Sequence, residues 1–353
     1  MNTIKLTMAQ ALVKYLAAQK TVIAGETCNI FEGVFAIFGH GNVAGMGNAL
    51  YEVQDILPTY RAHNEQGMAH AAIAFAKAND RKRMMACTSS IGPGATNMVT
   101  ASALAHVNRL PILFLPGDPT IGANDCFRPV SRYFDRITRP EQIITSLPAA
   151  LRVLLDPEHC GPATIALCQD VQTQAYDYPL SFFDECVHIP YRQPVDEAQL
   201  NTVIAILKAA KKPLIVAGGG IHYSQAVAKL NEFARKHAIP VTETQAGKGA
   251  LSWDHPNYVG AIGVTGCDAA NTLAQQADVV LAIGTRLQDF TTASRTLFNT
   301  QQLIQLNVAK FDAFKHNAIP LIGDAKLGLE ALSTKLSAWS APVQWQQQGR
   351  AAI

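Results

Sequence analysis

With 353 residues, 48% of them hydrophobic and 16% charged, the chain has apolar surface for more than one core and lacks the composition of a disordered segment. Its 29 basic and 27 acidic residues leave a formal charge of +2 and are mixed along the sequence, so no phosphate-neutralising stripe marks a nucleic-acid partner. No apolar run approaches the roughly 20 residues that cross a bilayer, which argues against a membrane partner as well.

In chain order, MNTIKLTMAQALVKYLAAQK is amphipathic and lacks the continuous apolar stretch and cleavage site of a signal peptide. Apolar runs then recur as VFAIF (Val34–Phe38), MMACT (Met84–Thr88), ILFLP (Ile112–Pro116) and ATIALC (Ala163–Cys168), the pattern of strands buried on both faces. Helical patterns over Glu65–Ala78, Ala95–Val107 and Pro140–Leu155 lie between them, giving the alternation of a parallel α/β sheet. A first domain is predicted over residues 1–178. The stretch YDYPLSFFDECVHIPYRQP, with three prolines and no sustained period, predicts a surface connection, with residues 179–196 as the linker.

A second alternation follows: a helix over Glu197–Ala210, the run PLIVAGGG, a helix over Ser224–Lys236, then IPVTET, DVVLAIG, LIQLN and IPLIG. The fold class predicted is α/β, with two doubly wound parallel-sheet domains, the second over residues 197–338. The Gln-rich, Pro-interrupted ending over 339–353 reads as the start of an interrupted connection. Seven cysteines (Cys28, Cys87, Cys126, Cys160, Cys168, Cys186 and Cys267) are scattered and never spaced C-x-x-C, which points to a reducing cytoplasm and to neither a disulfide framework nor a zinc ribbon.

Four turns are candidates for chemistry. FGHGNVA fits G-x-G-x-x-A through Gly39, Gly41 and Ala44, the form that presents a helix start to a dinucleotide, although a plain strand-to-helix turn has the same look. The acid that would hold a ribose is missing, since Glu52 and Asp55 come too early. TSSIGPGATN (Thr88–Asn97) follows a strand and opens a helix without the Lys-Ser/Thr ending of a P-loop; it reads equally as a structural turn or a ligand-facing loop. Gly218–Gly220 and Ala282–Thr292 also sit after strands. At the head of the helix Glu65–Ala78, Glu65 is explicable by the helix dipole alone. His63 and His70 flank it without the H-E-x-x-H spacing, so no metal site is predicted, and Ser89 and Ser90 lack the G-x-S-x-G elbow of a serine hydrolase.

Taken in order, FGHGNVAG, NEQGMAHAAIAFAKA, TSSIGPGATN, NRLPILFLPGD, PLIVAGGG, GKGALS and GTRLQDFTT resemble the thiamine-diphosphate enzymes of the acetolactate synthase superfamily. Within it, IFGHGN, CTSSIGPGATNMVTA and FRPVSRYFDRITRPEQ are similar to the ring-opening hydrolases of myo-inositol catabolism, which convert a cyclic dione substrate, trihydroxycyclohexane-1,2-dione, to 5-deoxy-glucuronate. The resemblance implies a pyrimidine-binding first domain, a Rossmann-like central domain, thiamine diphosphate as cofactor and a homo-oligomer, at least a dimer, as the working unit. It also implies a role for Glu65: its carboxyl group hydrogen-bonds the aminopyrimidine ring and so promotes loss of the thiazolium C2 proton. His40, Asn42 and Ser90 match turns that approach the cofactor.

Three departures from the superfamily pattern set further expectations. The G-D-G and distal Asn that hold Mg2+ and the diphosphate have no counterpart, because Gly117-Asp118-Pro119 and Gly323-Asp324-Ala325 lack the Asn that must follow. The missing domain would lie beyond Ile353, and the chain is expected to be an N-terminal fragment that is inactive alone. The connection between Asp118 and Asn124 is short for the family, which bears on the substrate pocket. GTRLQDFTT also fits members without flavin, so FAD is not predicted. The rival readings are an acetolactate synthase-type carboligase and a non-catalytic remnant or assembly half of a split enzyme.

Overall fold

A computed structural model of the chain describes residues 2–119, 122–299 and 301–352. They form two compact units, residues 1–191 and 192–353. Each is organised by one six-stranded sheet in which every neighbouring pair is parallel.

Numbered along the chain, the strands of the first central sheet are β1 (Phe31–Ala36), β2 (Thr59–Arg61), β3 (Met84–Ser89), β4 (Leu113–Asp118), β5 (Tyr133–Ile137) and β6 (Ala163–Cys168). Their order across the sheet is β2-β1-β3-β4-β6-β5. The chain leaves β1 toward one edge to make β2, then crosses back to make β3 on the other side. A topological switch point therefore opens between the C-terminal ends of β1 and β3, the place where ligands enter open parallel sheets. All six residues of β3 are buried, as its unbroken apolar run requires of a strand covered on both faces.

One sheet face is covered by the helices Met8–Ala17 and Ile143–Leu155, which contribute Met8, Leu12, Leu16, Leu147, Leu151 and Leu154 to the core. The helix Glu65–Ala78 buries Met68, Ala69, Ala72, Ile73 and Ala76, a stripe at helical spacing that packs with small residues close to the sheet. Asn64 caps it by accepting from the Gly67 N–H at 2.7 Å, a contact worth about 1 kcal/mol.

In the second unit the strands are β7 (Pro213–Ala217), β8 (Val241–Glu243), β9 (Tyr258–Ala261), β10 (Val279–Ile283), β11 (Gln302–Asn307) and β12 (Ile319–Ile322), in the order β9-β8-β7-β10-β11-β12. This is the 3-2-1-4-5-6 arrangement of a doubly wound sheet, with its switch point between β7 and β10.

Several segments differ from their sequence reading. The stretch expected as a linker is partly structure of the first unit, since Cys186–His188 pairs in parallel with Gln19–Ile23; Ala175–Pro179, at the end of the predicted first domain, pairs antiparallel with Thr3–Thr7. Pro179 ends one of these strands, and Pro190 and Pro194 lie in the stretch 189–196, which has no regular secondary structure. The final stretch is likewise folded: Val343–Ala351 is a helix whose Trp345 is buried and donates its indole N–H to the Pro213 carbonyl at 2.8 Å. The helix read over Ala95–Val107 is two pieces, Pro93–Thr96 and Val99–Asn108. Of the short connection between Asp118 and Asn124, Thr120 and Ile121 lie outside the described residues.

All three tryptophans, Trp253, Trp339 and Trp345, lie in the second unit. His237 is buried beside Trp339 and donates from Nδ1 to its carbonyl at 2.6 Å, while Nε2 has no hydrogen-bond partner among the described residues. Burial holds the His237 imidazole below its ordinary value of 6.5, and burial acts the same way on His255. A base whose folded-state value is depressed is protonated first in the unfolded chain, so stability is complete above about pH 6.5 and falls as pH drops through that range. The tryptophan-fluorescence unfolding midpoint is therefore expected to be lower at pH 5.5 than at pH 7.5, and a midpoint independent of pH would contradict this.

Candidate functional site

The site is built from the turns at the C-terminal ends of β1, β3 and β4. These turns approach one another more closely than a β-carbon on their glycines would allow. A Cβ on Gly39 would stand 2.5 Å from Ser90 Oγ, one on Gly41 would stand 2.4 Å from Ile91 Cγ2, and one on Gly117 would stand 2.8 Å from the Gly41 carbonyl oxygen. Glycine at these positions is thus a packing requirement of the switch point, independent of any ligand.

Side chains then pin the turn after β1. Asn42, 1% exposed, accepts from the Gly39 N–H at 3.0 Å and donates to the Ile37 carbonyl and to Thr88 Oγ1, each at 3.2 Å. Thr88 in turn donates to the Leu115 carbonyl at 2.9 Å, so one buried chain of hydrogen bonds joins β1, β3 and β4. From the other side Gln172, also buried, donates to the Gly41 carbonyl at 2.8 Å. Ser90 Oγ accepts from the Gly41 N–H at 3.4 Å.

Glu65 heads its helix beside these turns and is half-buried, not enclosed by the apolar face behind it. Its Oε2 accepts from Asn97 Nδ2 at 2.9 Å. Its Oε1 accepts no hydrogen bond among the described residues and lies 3.1 Å from where a Cβ on Gly94 would be. The same Cβ would lie 3.8 Å from Ser90 Cβ, which sets Glu65 and Ser90 around one glycine. Gly92, at φ +58°, has open space in front of it.

Of the residues singled out in the sequence, Glu65 and Ser90 are thus gathered at the switch point. Asn42 is there too, but its amide is used up on its own turn and on Thr88 of β3. His40 is exposed on that turn, and no hydrogen bond ties it to Glu65. The expected helix start after Gly41 is a single π-turn, Val43–Gly47, running into Asn48–Glu52, so FGHGNVA lacks the straight helix of a dinucleotide site. Asn97 and Gln172 were not singled out as site residues. Asn97 carried a signal of a sort, closing the glycine-rich turn three residues after Gly94; Gln172, 131 residues from its partner, carried none.

The two Gly-Asp pairs have structural duties. Asp118 is buried in an ion pair with Arg136 Nε and accepts from Asn124 Nδ2 at 2.8 Å. Asp324 caps the helix Ala325–Lys335, accepting from the Lys326 and Leu327 N–H groups at 2.9 and 3.2 Å, and pairs with Arg192 at 3.0 Å. Among the described residues no group of three or more His, Cys, Asp or Glu side chains is arranged to hold a metal ion, and no helix is long and apolar enough to cross a membrane.

In the second unit the corresponding turns are pressed together. A Cβ on Gly220 would stand 2.6 Å from Gly284 Cα, and the Gly218 and Gly220 N–H groups donate to the Ile283 and Gly284 carbonyls at 2.8 and 2.9 Å. This crest is zipped backbone to backbone, whereas the first unit leaves a carboxylate oxygen uncovered.

Comparison with known proteins agrees with this division. Residues 28–137 match the family described as "Thiamine pyrophosphate enzyme, N-terminal TPP binding domain", and residues 200–332 match "Thiamine pyrophosphate enzyme, central domain". The chain is 48% identical to a 3D-(3,5/4)-trihydroxycyclohexane-1,2-dione hydrolase of Geobacillus thermodenitrificans, over 95% of this chain and 56% of that protein. It is 46% identical to the protein of that name from Clostridium tetani, over 95% of this chain and 55% of the relative, and 46% identical to 3D-(3,5/4)-trihydroxycyclohexane-1,2-dione hydrolase 2 of Bacillus cereus, over 96% and 56%. The chain thus spans about half the length of the curated relatives it matches.

The crowding at the strand ends makes Gly117 a test position. Gly117→Ala is expected to cost about 1–3 kcal/mol, because the new methyl meets backbone that cannot swing aside. Hydrogen exchange over residues 37–43 should accelerate in this variant, and protection equal to the parent's would contradict the packing argument.

Proposed function

Because the chain belongs to the thiamine pyrophosphate enzymes, carrying their N-terminal and central domains in succession, we propose that it is part of a ring-opening hydrolase acting on a carbon–carbon bond of 3D-(3,5/4)-trihydroxycyclohexane-1,2-dione. The single observation that carries the assignment of the site is the Glu65 carboxylate, held at the first unit's switch point with one oxygen anchored and the other open. When bound, thiamine diphosphate supplies the carbon nucleophile for a substrate carbonyl and stabilises the charge left when the adjacent bond breaks.

The chain's own residues fit the pyrimidine end of that cofactor. Gly39, Gly41 and Gly117 let the turns at the strand ends pack together, and Gly94 keeps a β-carbon away from Glu65 Oε1. Glu65 Oε1 is a lone acceptor for a ring nitrogen proton, and a carboxylate placed there binds and orients the ring by a charge-assisted hydrogen bond. Asn42 and Gln172 act from behind, holding the Gly41 turn at a fixed height so that the ring does not displace it. Ser90 and the exposed His40, on the turns either side of the switch point, line the entrance.

We assign the diphosphate end and its Mg2+ to residues outside these 353. The working unit in this reading is a homo-oligomer in the cytoplasm, in keeping with seven cysteines that are all free thiols.

Product analysis tests the reading. With thiamine diphosphate, Mg2+ and the separately supplied C-terminal half of the Geobacillus relative, the chain should convert the cyclic dione to a ring-opened acid, and Glu65→Gln should lose at least 100-fold of that rate, on the order of a general acid–base contribution. Acetolactate from pyruvate, with the dione left intact, would overturn it.

A further inference from the structure

Gly94 and Asn97 stand three residues apart, on one side of the turn that opens with Pro93, and both face Glu65. They treat its two carboxylate oxygens differently. Asn97 Nδ2 donates to Oε2 at 2.9 Å, and its own backbone N–H is fixed to the Pro93 carbonyl at 3.0 Å, so the donor is held in place by the turn. Gly94 presents only its α-carbon to Oε1, where a β-carbon would come within 3.1 Å.

An amide NH2 group can donate and cannot accept. A proton on Oε2 would face that donor and break the bond, whereas Oε1 is open to a proton shared with a ligand. Resting on the reading of Glu65 as the partner of the pyrimidine ring, we propose that Asn97 is a positioning residue that anchors Oε2, and that Asn97 and the missing side chain of Gly94 together make Oε1 the one atom through which Glu65 shares a proton. The turn GPGATN then works as a selector of the oxygen as well as a wall of the crevice.

The test uses the chain labelled with 13C at the glutamate side-chain carboxyl, with the Glu65 resonance identified by its loss in Glu65→Gln. The probe is 4-amino-5-hydroxymethyl-2-methylpyrimidine, the pyrimidine half of the cofactor, which needs no diphosphate site. Asn97→Leu and the isosteric Asn97→Asp should both move the Glu65 resonance in the free chain and weaken the probe about tenfold, the loss of one hydrogen bond to a charged group. Gly94→Ala should weaken the probe while leaving the Asn97 contact, and hence most of the free-chain resonance shift, in place. If both Asn97 variants leave the Glu65 resonance and the probe affinity unchanged, the proposal is wrong. If the Asn97 variants move the resonance while Glu65→Gln binds the probe as tightly as the parent, the anchor stands and the reading of Glu65 as the pyrimidine partner is what fails.

Discussion

The first unit depends on three turns meeting at the ends of β1, β3 and β4 at distances a β-carbon forbids. With Gly41 against Ile91 and Gly117 against the Gly41 carbonyl, the level of these turns is set by sheet register together with the Ile91 side chain. Thr88 pairs across from Ala36 and in line with Leu115, so the hydrogen bonds from Asn42 through Thr88 to Leu115 lock the same three strands at one level. The turn carrying Gly94 and Asn97 starts from that level, and Glu65 is oriented by it.

The two units use similar sheets to different ends. Both have a switch point at the carboxyl ends of parallel strands, and both place glycines there. In the second unit those glycines let backbone meet backbone, with the Gly218 and Gly220 N–H groups bonded across the gap. In the first unit side chains do the tying from the flanks, through Asn42, Ser90 and Gln172. One arrangement ties its turns backbone to backbone and the other ties them through side chains while Glu65 Oε1 accepts no hydrogen bond among the described residues, which is why the chemistry is proposed for residues 1–191.

Much of this was legible in the sequence where burial is symmetric. The runs at Met84–Thr88, Ile112–Pro116 and Ala163–Cys168 became β3, β4 and β6 within a residue or two, because a strand covered on both faces must be apolar throughout. The helix Glu65–Ala78 has the bounds read from the sequence, while its Asn64 cap came from the structure. Elements at the edge were not: β5, YFDRI, has four half-buried residues, and Cys186–His188 is three residues beside a proline, so neither carries a period. At the site, Glu65 was visible as an acid at a helix start, and the turns around it as glycine patterns. What no local pattern could supply was the partition of its two oxygens, which depends on a donor 32 residues away.

The most direct measurement is a crystal structure of the chain with thiamine diphosphate bound. The account predicts a pyrimidine ring nitrogen within hydrogen-bond distance of Glu65 Oε1, in the crevice between the ends of β1 and β3, with Asn97 still on Oε2. A cofactor seated on the Gly218, Gly220 and Gly284 turns of the second unit, with Glu65 untouched, would contradict it.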